Sequence, residues 1–302
     1  MRRHGRSRQG KQRWRCRACG RCFVWKNPRN KYCRQRIWFE RWVVEAYTVR
    51  QLAAQSGHSI RTIRRIIHYW LHQPPPRHPD LAASRYLLLD GTFLHQRKGV
   101  FAVMDTERFR VIHAAPEMAE GPAHLHPFCV TLAQRGLAPT SATIDGNPHL
   151  LRILRLVWPA IWIQRCLVHV QRQGLSWCRR DPKRPDAKHL RALFLHVMAI
   201  HTATDRERFL SQVQAWEHRY GRHITRAPET GWVFSDLKRA RSMLLSALPD
   251  MFRYLDDPRI AKSTNALEGY FARLKEKYRQ HRGLARHHRT AYLRWYFHLC
   301  PR

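Results

Sequence analysis

The chain has 302 residues, of which 44% are hydrophobic and 11% aromatic, and it sets 56 Lys and Arg against 21 Asp and Glu for a net charge of +35. That length and apolar content supply a buried core for about two domains, which excludes a disulfide-stapled miniature and a disordered chain. No apolar run approaches the roughly 18 residues needed to cross a bilayer, so no membrane partner is expected.

So large a surplus of cations needs a polyanion, and nucleic acid is the first to consider. Of the 56 cations 46 are Arg, whose planar fork suits phosphate and guanine. GC-rich codon usage would also enrich Arg, but it would not remove the acids. The N-terminus is basic without a following apolar stretch, so no secretory signal is expected and the default is a cytoplasmic, nucleoid-associated protein.

Residues 1–34 read as a basic arm. Gly5, Gly10 and Gly20 are its turn points, and the close cysteines Cys16, Cys19 and Cys22 suggest metal chemistry or its remnant. Residues 35–73 carry helix-turn-helix patterning. A helix from Ile37 through Tyr47 precedes two periodic pieces around Gly57. The first offers Val49, Leu52 and Ala53; the second, capped by Ser59, places Ile60, Ile63, Ile66, Ile67 and Trp70 on one face and Arg61, Arg64, Arg65 and His68 on the other. The three arginines are the candidate DNA contacts; the alternative is two helices packed as a plain linker domain. Pro74, Pro75, Pro76 and Pro79 make residues 74–84 a stiff linker.

Beyond it the period changes. Tyr86–Asp90, Gly99–Asp105 and Phe109–Ala115 read as three strands in hairpin succession, with turns at Gln96–Lys98 and Thr106–Arg108. A helix near His124–Arg135, a strand Ala142–Asp145, a helix His149–Val157 and a strand Ile161–Gln164 follow. A β-meander leading into alternating helix and strand is the α/β pattern of the ribonuclease-H-like fold, here assigned to residues 85–175 and 256–302. Residues 176–255 show only helical periodicity and form a helical insertion, whose Trp216 and Trp232 are either core or base-stacking groups. Thr264–His281 is an amphipathic helix with Leu267, Tyr270, Phe271, Leu274 and Tyr278 on one stripe.

In so acid-poor a chain, three Asp residues end apolar strands: Asp90, Asp105 and Asp145. Asp105 reads as a turn residue. Asp90 and Asp145 each precede Gly, which taken singly is also turn chemistry. On adjacent strands, however, the two carboxylates would lie within metal-bridging distance. Glu268, beside the apolar stripe of the last amphipathic helix, is the candidate third acid; alternatively Asn265 and Glu268 form a capping box. Three clustered carboxylates call for divalent cations, and oxygen donors favour Mg²⁺ or Mn²⁺. Two such ions would serve nuclease or strand-transfer chemistry on a phosphodiester.

The ordered motifs Leu88-Leu89-Asp90-Gly91-Thr92, Ile144-Asp145-Gly146-Asn147, Cys166-Leu-Val-His169 and Ser263-Thr264-Asn265-Ala-Leu-Glu268, running on to Lys275, resemble the DDE transposases of bacterial insertion sequences related to the Mutator elements. The resemblance spans residues 86 to about 282, with a separation of 55 positions from Asp90 to Asp145 and 123 from Asp145 to Glu268. It implies a metal-binding catalytic triad of Asp90, Asp145 and Glu268 holding two Mg²⁺ or Mn²⁺ ions. It also implies supporting roles for Cys166, His169 and Asn265, and DNA contact at Lys275. Residue by residue, Cys166 and His169 read only as a helix-start pair packing on the sheet. The partners implied are double-stranded DNA, both element ends and target, and a homodimer or higher oligomer on it.

The stretch around Cys16 and Cys19 resembles the second half of a zinc ribbon whose first Cys pair would precede Met1. Cys22, Cys33 or His4 are the remaining candidates to complete a Zn²⁺ site, though no spacing selects them; otherwise the segment is a basic arm. The competing functions are a non-catalytic DNA-binding regulator and an inactive, decayed transposase.

Overall fold

The computed structural model describes residues 1–24, 28–76, 81–95, 98–226 and 232–302. The chain divides into two compact units, Met1–Pro74 and Pro75–Arg302.

In the first unit β1 (Arg2–Arg6), β2 (Gln12–Arg15) and β3 (Cys22–Val24) form an antiparallel sheet in that order. A cysteine knuckle closes between β2 and β3, where the Cys16 N–H donates to the Arg21 carbonyl and the Gly20 N–H to the Cys16 carbonyl. Four helices follow: α1 (Pro28–Arg34), α2 (Arg36–Val44), α3 (Val49–Ser56) and α4 (Ile60–Leu71). Thr48 and Gln51 form a capping box at the start of α3, Gly57 ends it at φ +66°, and the Ser59 hydroxyl accepts from the Thr62 N–H to open α4. Phe39, Trp42, Leu52, Ile63, Ile66, Ile67 and Trp70 make the small core. Ile60, expected on that face, is 41% exposed because it stands on the first turn of α4, ahead of the buried stretch that begins at Ile63. Arg61, Arg64, Arg65 and His68 lie on the exposed side.

The second unit is a mixed α/β structure. Its strands are β4 (Tyr86–His95), β5 (Lys98–Asp105), β6 (Arg110–Met118), β7 (Ser141–Ile144) and β8 (Trp162–Arg165), in the spatial order β6-β5-β4-β7-β8. β4, β5 and β6 pair antiparallel as a meander; β4, β7 and β8 pair parallel. Helices α5 (Pro122–Gln134) and α6 (Pro148–Val157) supply the crossovers that parallel neighbours require. Leu87, Leu89, Phe101, Val103, Ala142, Ile144 and Ile163 pack with Leu125, Phe128, Leu132, Leu150 and Leu154 in one core.

A second core lies among α7 (Leu167–Cys178), α8 (Pro185–His196), α9 (Ala203–Trp216), α10 (Arg222–Arg226), α11 (Trp232–Ala247) and α12 (Arg253–Asp256), with a π turn at Glu217–Gly221. Trp216 is a core residue there, its indole N–H donating to the Asp186 carbonyl at 3.0 Å. The Trp232 side chain, Pro79 and the turn at Gln96 and Arg97 lie outside the described residues. α13 (Asn265–Arg279) packs against β4, and α14 (Arg286–Leu299) against β6.

Three expectations need correction. β4 does not end at Asp90: Gly91, Thr92 and Phe93 stay paired with Phe101, Val100 and Gly99, so Asp90-Gly91 is no turn. Leu81 and Ser84, assigned to the linker, are buried, with Leu81 in the sheet core. Asn265 forms no capping box, because the chain enters α13 at Thr264 without any side-chain cap and Asn265 is already helical and exposed. Among the described residues no helix is long and apolar enough to cross a membrane.

Candidate active site

Leu89 of β4 pairs with Ile144 of β7 as the last residue couple of their parallel ladder, so Asp90 and Asp145 follow side by side on adjacent strands. Side chains alternate across a strand. Leu87 and Leu89 face the α5–α6 core, which turns Asp90 to the opposite face, toward α13; Asp145 follows the last paired residue of β7, near enough for its charge to act on Asp90. Backbone donors hold both carboxylates: the Gly91 N–H donates to Asp90 Oδ1 at 2.8 Å, and the Asn147 N–H to Asp145 Oδ1 at 3.0 Å. Burial above all, with the neighbouring Asp145 and Glu268 carboxylates adding to it, pushes the Asp90 carboxyl up to about 7 against the pull of the Gly91 hydrogen bond and His169.

Glu268 comes from the first turn of α13, and a chain of contacts fixes where that helix begins. The Thr143 hydroxyl on β7 donates to the Ala261 carbonyl at 2.6 Å, and the Leu167 N–H to the Lys262 carbonyl at 3.0 Å. The buried Cys166 Sγ accepts from the Thr264 N–H at 3.3 Å and stands 3.5 Å from its hydroxyl, which also faces His169 Nδ1 at 3.5 Å. His169 Nε2 then stands 3.7 Å from Glu268 Oε1, and Arg172 Nη2 3.8 Å from Oε2. Cys166 and His169 therefore do more than pack: they tie the start of α7 to the start of α13.

Burial raises the Cys166 thiol, but hydrogen bonds involving His169 and Thr264 outweigh it and hold the thiol below its usual value. The bond with Cys166, then the Asp90 and Glu268 charges, hold His169 above its own. Glu268 Oε1 is buried without a hydrogen-bond partner, which costs free energy unless a ligand satisfies it. An orphaned carboxylate oxygen beside two further carboxylates is a hard-oxygen donor set suited to Mg²⁺ or Mn²⁺.

Each Asp-Gly pair also accommodates a charged side chain that sequence reasoning missed. A Cβ at Gly91 would collide with the Glu120 carboxylate, and a Cβ at Gly146 with the Arg165 guanidinium. Burial, then the charge of Asp145, raises the Glu120 carboxyl. Arg165 is 6% exposed and its Nε has no partner. The available signal for Arg165 was a cation at the end of an otherwise buried strand, directly before Cys166. Glu120 lies in the loop after β6, where spacing carries no signal. Lys275 is half-buried on α13, two turns beyond Glu268.

The fold and site thus define a mixed α/β protein with a five-stranded sheet, in which the charges of Asp145 and Glu268 act on Asp90. Residues 110–293 match the family model described as "Transposase, Mutator family". The match covers more than half of the chain, which belongs to the Mutator family of transposases. It takes in Asp145, Cys166, His169 and Glu268 and leaves Asp90 upstream. No curated protein matches the chain.

Proposed function

We propose that this transposase is a DDE enzyme of ribonuclease-H-like architecture, in which Asp90, Asp145 and Glu268 hold two divalent ions and cut and join DNA strands. The observation that supports the reading is the pairing of Leu89 with Ile144, the couple that immediately precedes Asp90 and Asp145 on neighbouring strands. Bound there, Mg²⁺ or Mn²⁺ would activate water or a DNA 3′-hydroxyl and stabilise the leaving oxygen. The chain's own part is orientation. Asp90 and Asp145 are held by backbone N–H groups, and the Cys166–Thr264 contact sets the first turn of α13. His169 and Arg172 each stand within ion-pair distance of one Glu268 carboxylate oxygen. Asn265 is exposed on the first turn of α13 and does not cap it. The α4 arginines and the overall charge serve to hold duplex DNA at element ends and target, with a dimer or larger assembly bringing the ends together.

Asp90→Asn and Glu268→Gln variants test the reading on plasmid DNA with Mg²⁺ or Mn²⁺. Strand cleavage should collapse while DNA affinity stays within about twofold. A folded variant that loses binding and cleavage together would favour a non-catalytic DNA-binding regulator.

A further inference from the structure

A basic groove opens on the same sheet face as the carboxylates. Its two lobes have volumes of about 710 and 480 Å³. Leu88, two residues before Asp90, lies in one lobe, and Ala266, two residues before Glu268, lines both. Arg110, Arg273 and Arg302 border one lobe, and Arg259 and Lys262 the other; Glu107 is the acid among the described lining residues. Arg302 is brought here by the Pro301 carbonyl, which accepts from the Val111 N–H of β6. Arg259 is paired with Asp257 and Arg108 with Asp105, so Lys262, Arg273 and Arg302 are the cations the groove offers a phosphate.

Phe109 also lines both lobes. It is 65% exposed, and its backbone sits at φ +47°, a region that a bulky L residue rarely occupies. The turn holding it is rigid. Asp105, wholly buried, accepts from the Glu107 and Arg108 N–H groups through Oδ1, and from the Ser84 hydroxyl and the Arg108 guanidinium through Oδ2. A ligand that stacks on the ring gives this strained, exposed placement a use. Cations that track a strand, with an aromatic face between them, are what single-stranded nucleic acid binds.

We propose that this groove seats the DNA strand flanking the scissile phosphodiester, with an unpaired base stacked on Phe109 and its phosphates running past Arg273 and Arg302. The inference rests on the transposase reading above.

The test uses the full chain and oligonucleotides carrying 2-aminopurine, single-stranded or in a duplex with an unpaired end, over a salt series. Phe109→Gly suits the left-handed backbone, so it should fold at least as well as the parent. It should lose the 2-aminopurine quenching and weaken single-strand binding about 5- to 100-fold. Phe109→Trp should restore both. Arg273→Ala and Arg302→Ala should each lower the salt slope by about 0.7 on single strands. Unchanged quenching and affinity in Phe109→Gly would overturn the proposal, as would quenching in fully paired duplex alone, or self-association in place of DNA binding. Plasmid nicking separates the two readings. If nicking depends on Asp90 while Phe109→Gly is silent, the groove proposal falls and the transposase reading stands. If Asp90→Asn nicks normally, the DDE reading of Asp90 itself falls.

Discussion

The guanidinium of Arg165 lies over Gly146, in the volume that a side chain there would claim, and Gly146 itself sits at φ +106°. Two independent constraints thus fall on one residue beside Asp145. Any side chain would strain the backbone and also displace a buried cation. Gly146→Ala should therefore cost about 2 kcal/mol or more of stability in urea unfolding. Combining it with Arg165→Ala should recover part of that loss, because the double variant removes the collision and leaves only the backbone term. Strict additivity of the two changes would show that the guanidinium and the glycine do not compete for space.

The Asp90 carboxyl, raised to about 7, gives a stability signature whose sign is fixed. Its ordinary value of 3.8 applies in the unfolded chain, so between about pH 4 and 7 the folded protein binds the extra proton. That contribution is complete below pH 4 and is lost as pH rises through 7. Asp90→Asn lacks the ionisation altogether. Without divalent ions it should be more stable than the parent at pH 8, with the gap closing toward pH 4. Mn²⁺ should raise the melting temperature of the parent but not of the variant, because only a ligand that favours the folded state stabilises it. Parallel pH profiles for the two proteins would mean that Asp90 is not buried against its neighbours as described.

Cys166 contacts the residue that opens α13, Thr264, and on the proposed function it positions Glu268 from there. Replacing it with Ala leaves the buried Thr264 N–H without its acceptor, which should cost about 1–3 kcal/mol. The first turn of α13 should loosen with it, lowering the cleavage rate more than DNA affinity. Cys166→Ser keeps an acceptor with shorter reach and should fall between. Full activity in Cys166→Ala would remove the sulfur from any part in placing Glu268.

The contribution of each level of reading can be judged from particular residues. Asp90 and Asp145 were legible because an acid ending an apolar strand is conspicuous in a chain so poor in acids, and Glu268 because it borders a clear helical stripe. The α4 face from Ile63 to Trp70 followed from period alone. The course of β4 beyond Asp90 was not legible, since Asp-Gly is turn chemistry unless a partner strand continues, and Phe101 lies too far along the chain to announce itself. The same holds for Glu120, and for the glycine contact of Arg165 though not for its place at a strand end. Each reaches its glycine across a fold that local sequence does not encode, and the missing Cβ is informative only once the neighbour is in place.

The exposed Arg61, Arg64 and Arg65 of α4 can meet either base edges or phosphates, and single Ala variants distinguish the two. A base contact should cost about 1–3 kcal/mol and relax preference at one position, whereas a phosphate contact should weaken all sequences alike and reduce the salt slope by about 1. Fluorescence anisotropy on duplex DNA across a salt series reads both. If all three variants bind as the parent does, α4 is not the reading helix.

The cysteine knuckle sets a last expectation, because the number of ligands decides whether metal and folding are coupled. Hydrogen bonds from the backbone of Cys19 and Ala18, and from the Cys19 thiol, lower the Cys16 thiol, which favours the thiolate that a metal takes. Cys16 and Cys19 thus offer two donors. Among the described residues no third Cys, His or carboxylate stands within ligand distance of both, and Cys22 is turned to solvent with its thiol near the Gly20 carbonyl. A tetrahedral Zn²⁺ site needs four ligands. Zinc should therefore bind weakly or substoichiometrically, and a Cys16→Ser, Cys19→Ser double variant should lose what binding there is. A chelator should leave the thermal unfolding of residues 75–302 unchanged, because a metal stabilises only the unit that holds it. One tightly held zinc per chain by elemental analysis would reverse this: Cys22, Cys33 or His4 would then have to close the site, and chelation should unfold the three-stranded sheet.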